Sequence, residues 1–209
     1  QYQDGTETLL YTAQDILVSF AVTNGTLWVS TGESWFENET YQQNYAVTVV
    51  DGESESSFDL STLPDFLGGV YAFAAGPSGT VYGLSSDDLI ILDGAATLTG
   101  QISLEDTDTG AFLWLDNLAA SASGTVYAGQ NNTNYEIYTV TADCLTPYLT
   151  VSSGDLSNGV IGPGGNGYDF YLADANGLLA SANGSVQRLA NWADSGISFL
   201  SIEAIAPLG

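Results

Sequence analysis

The chain has 209 residues, 44% of them apolar, and sets 25 acidic residues against one basic residue, Arg188, with no lysine and no histidine, for a net charge of -24. That balance excludes nucleic-acid binding, which needs many cations to neutralise phosphates, and disfavours anionic membrane surfaces for the same reason. No apolar run approaches the roughly 20 residues that insert across a membrane. Without histidine or lysine there is no Ser-His-Asp triad, no zinc site of the usual ligands and no Schiff base.

In chain order, residues 5–13 predict one β-strand. Residues 16–22 predict another, which turns at Asn24-Gly25 and returns through Leu27-Trp28-Val29. An insertion at 33–45, rich in acids, amides and aromatics, lengthens this first unit before strands at 46–51 and 58–60. The second unit predicts strands at 70–75, 80–84, 89–92 and 97–104, separated by Gly76-Pro77-Ser78-Gly79, Ser86-Asp87-Asp88 and Asp93-Gly94. Turn chemistry this closely spaced leaves no room for a helix of normal length. The third unit repeats the scheme at 118–120, 125–128, 135–140 and 148–151, and the fourth at 159–161, 169–173, 178–180 and 185–189.

One phrase marks all four units. Gly25-Thr26-Leu27-Trp28, Gly79-Thr80-Val81-Tyr82 and Gly124-Thr125-Val126-Tyr127 are followed by a degenerate copy, Gly167-Tyr168-Asp169-Phe170, so the copies lie 54, 45 and 43 residues apart. That spacing suits a four-stranded propeller blade. A second echo sets the phase: Phe66-Leu67-Gly68 and Phe112-Leu113-Trp114 lead into the first strands of units two and three, and Phe199-Leu200-Ser201 repeats them at the end of the chain.

These phrases resemble the YVTN, NHL and PQQ-like β-propeller repeats. Gly79-Thr80-Val81-Tyr82 with Leu89-Ile90-Ile91-Leu92-Asp93 is similar to the YVTN and PQQ-like phrase, and Asn166-Gly167-Tyr168-Asp169-Phe170-Tyr171-Leu172-Ala173-Asp174 to the NHL one. The resemblance implies an all-β fold: a small β-propeller of four full blades at about 15–65, 66–111, 112–155 and 156–198, plus a reduced closing blade. In that closing blade, strands at 5–13 and 199–207 join the termini; alternatively a second chain completes it by self-association through the edge left open. The first strand of each blade is expected to line the axis, and Trp28, Tyr82 and Tyr127 to sit between blades. The motifs encode blade geometry, and no cofactor-contacting residue of a PQQ enzyme can be placed on this chain.

Calcium is the one cofactor the residues invite. Glu105-Asp106-Thr107-Asp108-Thr109-Gly110 sets oxygen ligands at alternate positions before a glycine, with Asp87 and Asp88 as a further cluster; the same acids also fit solvated turns. Possible N-glycosylation sites fall at Asn24, Asn38, Asn131 and Asn183. Cys144, alone in the chain, is expected to be buried. The insertion, with Trp35, Phe36, Tyr41 and Tyr45, reads as an ordered loop packed on its own aromatics, as a sugar-binding surface or as a protein contact. The chain is accordingly expected to be a secreted, non-enzymatic structural or adhesive propeller of a cell surface or extracellular assembly, with a protein or glycan partner. Behind this stand a calcium-dependent or lectin-like binder and a carboxylate-based glycosidase.

Overall fold

The structure, a computed structural model, describes residues 2–3, 6–7, 11–23, 25–52, 54–63, 68–106, 111–131, 134–152, 160–173 and 176–195. At the start, β1 (Tyr2–Gln3) pairs with β2 (Thr6–Glu7), and residues 11–13 stand outside any strand, so the single strand read over 5–13 is replaced there by a short pair. The other closing strand, 199–207, lies outside the described residues.

Each repeat folds as an antiparallel four-stranded sheet. The first holds β3 (Leu17–Thr23), β4 (Thr26–Thr31), an inserted hairpin of β5 (Ser34–Glu37) and β6 (Thr40–Gln43), then β7 (Ala46–Asp51) and β8 (Ser54–Asp59), in the sheet order β3-β4-β7-β8. The second is β9 (Ala72–Ala75), β10 (Val81–Leu84), β11 (Asp88–Leu92) and β12 (Leu98–Ser103). A two-stranded pair, β13 (Glu105–Asp106) and β14 (Ala111–Phe112), links it to the third: β15 (Asn117–Ala120), β16 (Val126–Asn131), β17 (Tyr135–Val140) and β18 (Leu145–Val151). The fourth is β19 (Val160–Pro163), β20 (Phe170–Ala173), β21 (Gly177–Ala182) and β22 (Ser185–Asn191), followed by one helical turn, α1 (Trp192–Ser195).

The strand chemistry follows from which faces are covered. Every residue of β10, β11 and β20 is buried, and, Asp88 at the start of β11 apart, these strands read as continuous apolar runs instead of alternating ones. Outer strands alternate or are polar, and β18 carries Pro147, which withdraws a donor from an edge. Turns are held by short side chains: the Asp93 carboxylate accepts from the backbone N–H groups of Ala95 and Thr97, which holds its carboxyl below the usual range.

Three apolar seams join the four sheets in chain order. Trp28, Val47 and Val49 pack against Val81, Ile90 and Leu92; Tyr82, Leu84 and Ile91 pack against Leu118, Val126 and Val140; Tyr127 and Ile137 pack against Ile161, Phe170 and Leu172. Trp28, Tyr82 and Tyr127 therefore lie between sheets, each burial contributing roughly 1.5–3 kcal/mol. Hydrogen bonds also cross the seams: Val70 N–H, just ahead of β9, donates to Ser30 Oγ of β4 at 3.0 Å, and Ile161 N–H of β19 donates to Asn117 Oδ1 of β15 at 3.1 Å. Sheets in succession, stacked face to face with their first strands inward, make a propeller-like fold.

The fourth repeat departs from its phrase by one residue. Phe170 faces back into the seam with Tyr127, their ring centroids 5.1 Å apart, while Tyr171 points away from the third sheet. Tyr171 thus occupies the place of Trp28, Tyr82 and Tyr127, four residues after its glycine where theirs lie three. Asp169 takes up the extra position, its carboxylate accepting from Tyr148 Oη and from the Asn183 N–H.

Candidate functional site

The hairpin β5–β6 rises where the second sheet has only a short turn, at 85–87, between its second and third strands. Gly32, at φ 134°, bends the chain out of β4; a Cβ there would lie 2.6 Å from both Asn44 O and Tyr45 Cα. The root is tied by Glu33 N–H to Asn44 Oδ1 at 2.8 Å, Asn44 N–H to Glu33 O at 3.1 Å, and Gly32 N–H to Ile16 O at 2.9 Å. At the tip Asn38 and Glu39 both have positive φ, the two-residue turn whose twist suits a hairpin. Phe36 stands across from Tyr41 on one face and Trp35 across from Gln42 on the other.

The aromatics of this hairpin face water. Phe36 is 75% exposed, Tyr41 45% and Trp35 41%, so the expectation of a loop packed on its own rings is corrected: a two-stranded ribbon is too thin to bury both of its faces. Tyr45, half-buried at the root, is the exception. Antiparallel alternation puts the hairpin, the turn at 85–87 and the start of each inner strand at one end of the sheets, which is the insertion face. Tyr71 lies there, as do Phe112 and Trp114 from the phrase that leads into the third unit's first strand, with ring centroids 5.9 Å apart and Trp114 64% exposed. The signal for them was in the sequence: the first strand of the third unit is predicted only at 118–120, several residues beyond Trp114, and β15 begins at Asn117.

Beside the hairpin root is an open hollow of about 590 Å³, lined by Ile16, Leu17, Val18, Glu33, Tyr45 and Tyr71 among others. Tyr71 Oη donates to Leu115 O at 2.7 Å, fixing one wall. Its phenol is pushed up to about 12, first by burial and then by the negative charges of Asp116 and Asp87.

Asp88 is buried in β11, with its N–H donating to Ser85 Oγ, and Asp87 O accepts from Leu104 N–H, two residues before Asp106. Asp106 pairs through its backbone with Ala111 in the β13–β14 link, and Asp108 lies outside the described residues. Among the described residues no three acidic, cysteine or histidine side chains gather as a metal site would require. Asn38 is exposed at the hairpin tip, and Asn183 is exposed in the turn between β21 and β22 at the opposite end of the sheets. Asn131 ends β16 on the insertion face, and Asn24 lies outside the described residues. Cys144 is exposed, correcting the buried reading: it sits in the turn after β17, where Thr141 N–H donates to Cys144 O.

The fold thus defines a β-propeller-like protein with an aromatic insertion face. Among solved structures the chain is similar to the WD40 domain of Pan2 from Neurospora crassa, with a TM-score of 0.55 and 13% identity, covering 85% of this chain and 50% of that one. The likeness is one of fold, and the chain spans half the length of that structure. No family model and no curated protein matches the chain.

Proposed function

We propose that the chain is a non-enzymatic β-propeller module that docks a protein partner through its insertion face, as a structural or adhesive element of a cell surface or extracellular assembly. The β5–β6 hairpin carries this reading. It holds Trp35, Phe36 and Tyr41 in water on a root fixed by backbone hydrogen bonds. Protein interfaces concentrate such rings, and seating them needs little further ordering because the hairpin is already formed. The extracellular setting is supported by the lysine-free, hydroxyl-rich composition and by sequons at the exposed turns of Asn38 and Asn183.

The propeller is read as YVTN-, NHL- or PQQ-like, with a reduced closing unit drawn from 5–13 and 199–207. Support comes from Phe20 and Val22, 65% and 63% exposed on the face of the first sheet turned away from the second, and from the recurrence of the inner-strand phrase at Phe199-Leu200-Ser201.

The docking role is tested by placing a photoreactive phenylalanine at position 36 and cross-linking in native extracellular material, with the Trp35→Ser variant as comparison. A discrete cross-linked partner, lost with Trp35→Ser, is expected; no cross-link above background overturns the reading. A second reading, a carbohydrate-binding propeller, is favoured by one observation, the pairing of Trp35 with Gln42, which sets a ring beside an amide. Glycan-array binding that disappears with Trp35→Ser would favour it over a protein partner.

A further inference from the structure

Resting on that docking role, we propose that the hollow at the hairpin root receives a basic peptide segment of the partner, a lysine or arginine side chain lying against Glu33 with its apolar neighbours on Ile16 and Leu17. The hollow is open and, at about 590 Å³, wide enough to take a short peptide segment and not only one side chain. Its walls divide by chemistry. Ile16 and Leu17, 60% and 50% exposed, form an apolar side, Tyr45 and Tyr71 supply rings, and Glu33 stands exposed at the rim.

A long cationic side chain matches this set, since its methylene stem covers apolar surface and its head seeks a carboxylate or a ring face. The field has the same sign: Asp87 and Asp116 both act on Tyr71 at the wall. The chain's one basic residue, Arg188, lies in β22 of the fourth sheet. A second copy of the chain would bring another net charge of -24 to the same face, so like-charge repulsion disfavours self-association there. A basic segment is steered to the hollow by the charge that repels a second copy. A Cβ on Gly69 would lie 2.9 Å from the Tyr45 ring and 3.0 Å from Val18, so glycine at this position lets those two lining side chains pack directly on the backbone.

The test is fluorescence anisotropy of the full chain with a labelled peptide of alternating leucine and lysine, beside its leucine–glutamate counterpart. Glu33→Gln is compared with Glu55→Gln, which removes an equal charge from the outer strand β8. Saturable binding of the lysine peptide is expected, weakened about two- to fivefold by Glu33→Gln and unchanged by Glu55→Gln, with no binding of the glutamate peptide. Absence of saturable binding overturns the proposal. Equal weakening by the two variants also overturns it, because binding then belongs to the diffuse field of the protein. If the lysine peptide fails while cross-linking from position 36 still captures a partner, the docking role stands and the basic-segment assignment falls.

Discussion

The hydroxyl of Tyr71, just ahead of the second sheet, donates to the main-chain carbonyl of Leu115, just ahead of the third, at 2.7 Å. The bond joins two sheets at the insertion face and holds a wall of the hollow. Tyr71→Phe is expected to lower stability by about 0.5–1.5 kcal/mol in urea unfolding, the ordinary net worth of one hydrogen bond.

The same phenol gives a pH dependence. Tyr71 and Tyr127 are both pushed up to about 12, chiefly by burial, with Asp116 and Asp87 adding to the first and Asp169 to the second. Below the ordinary phenol value of 10 both folded and unfolded chains hold these protons, and stability is fully present. Between about 10 and about 12 the unfolded chain releases protons that the folded chain retains, so stability falls as pH rises. Urea midpoints measured across this window should decline, and the decline should be shallower in a Tyr71→Phe, Tyr127→Phe double variant.

Gly32→Ala should uncouple the hairpin from the sheet. A methyl at that position meets the Asn44 carbonyl and the Tyr45 backbone at 2.6 Å, on a backbone at φ 134°. The root must shift while the seams remain packed. Partner capture from position 36 should drop, with a loss of stability of about 1–3 kcal/mol; unchanged capture would show that the hairpin geometry is irrelevant to docking.

At the seam of the third and fourth sheets, one carboxylate oxygen of Asp169 accepts from Tyr148 Oη at 3.1 Å and from Asn183 N–H at 2.7 Å. Asp169→Ala removes the acceptor from both donors and should cost about 1–3 kcal/mol, whereas Asp169→Asn, which keeps an acceptor oxygen, should cost less. Thermal unfolding of the two variants separates a hydrogen-bond role from a charge role.

Phe20 tests whether the ring closes. If residues from the two termini cover the open face of the first sheet, Phe20→Ser removes a buried ring and lowers stability by about 2 kcal/mol or more. A change within about 0.5 kcal/mol would leave Phe20 in solvent and sink the closing unit.

The sequence by itself located the four described four-stranded sheets in their order, because glycine turns and alternating β-branched and aromatic residues are local signals. It also placed Trp28, Tyr82 and Tyr127 between sheets, since each lies at the same offset from its glycine, in clusters the structure confirms as seams. It did not determine the register of the fourth repeat. There the aromatic phrase offers both Phe170 and Tyr171, and a slip of one residue reverses which of them faces the seam. Only the packing of Phe170 against Tyr127 and the turn bonds of Asp169 decide it. Exposure was likewise a tertiary decision. Phe36 and Trp114 have the same apolar chemistry as the seam residues, and nothing local to them says that no described sheet covers their side; that depends on where the other sheets stand.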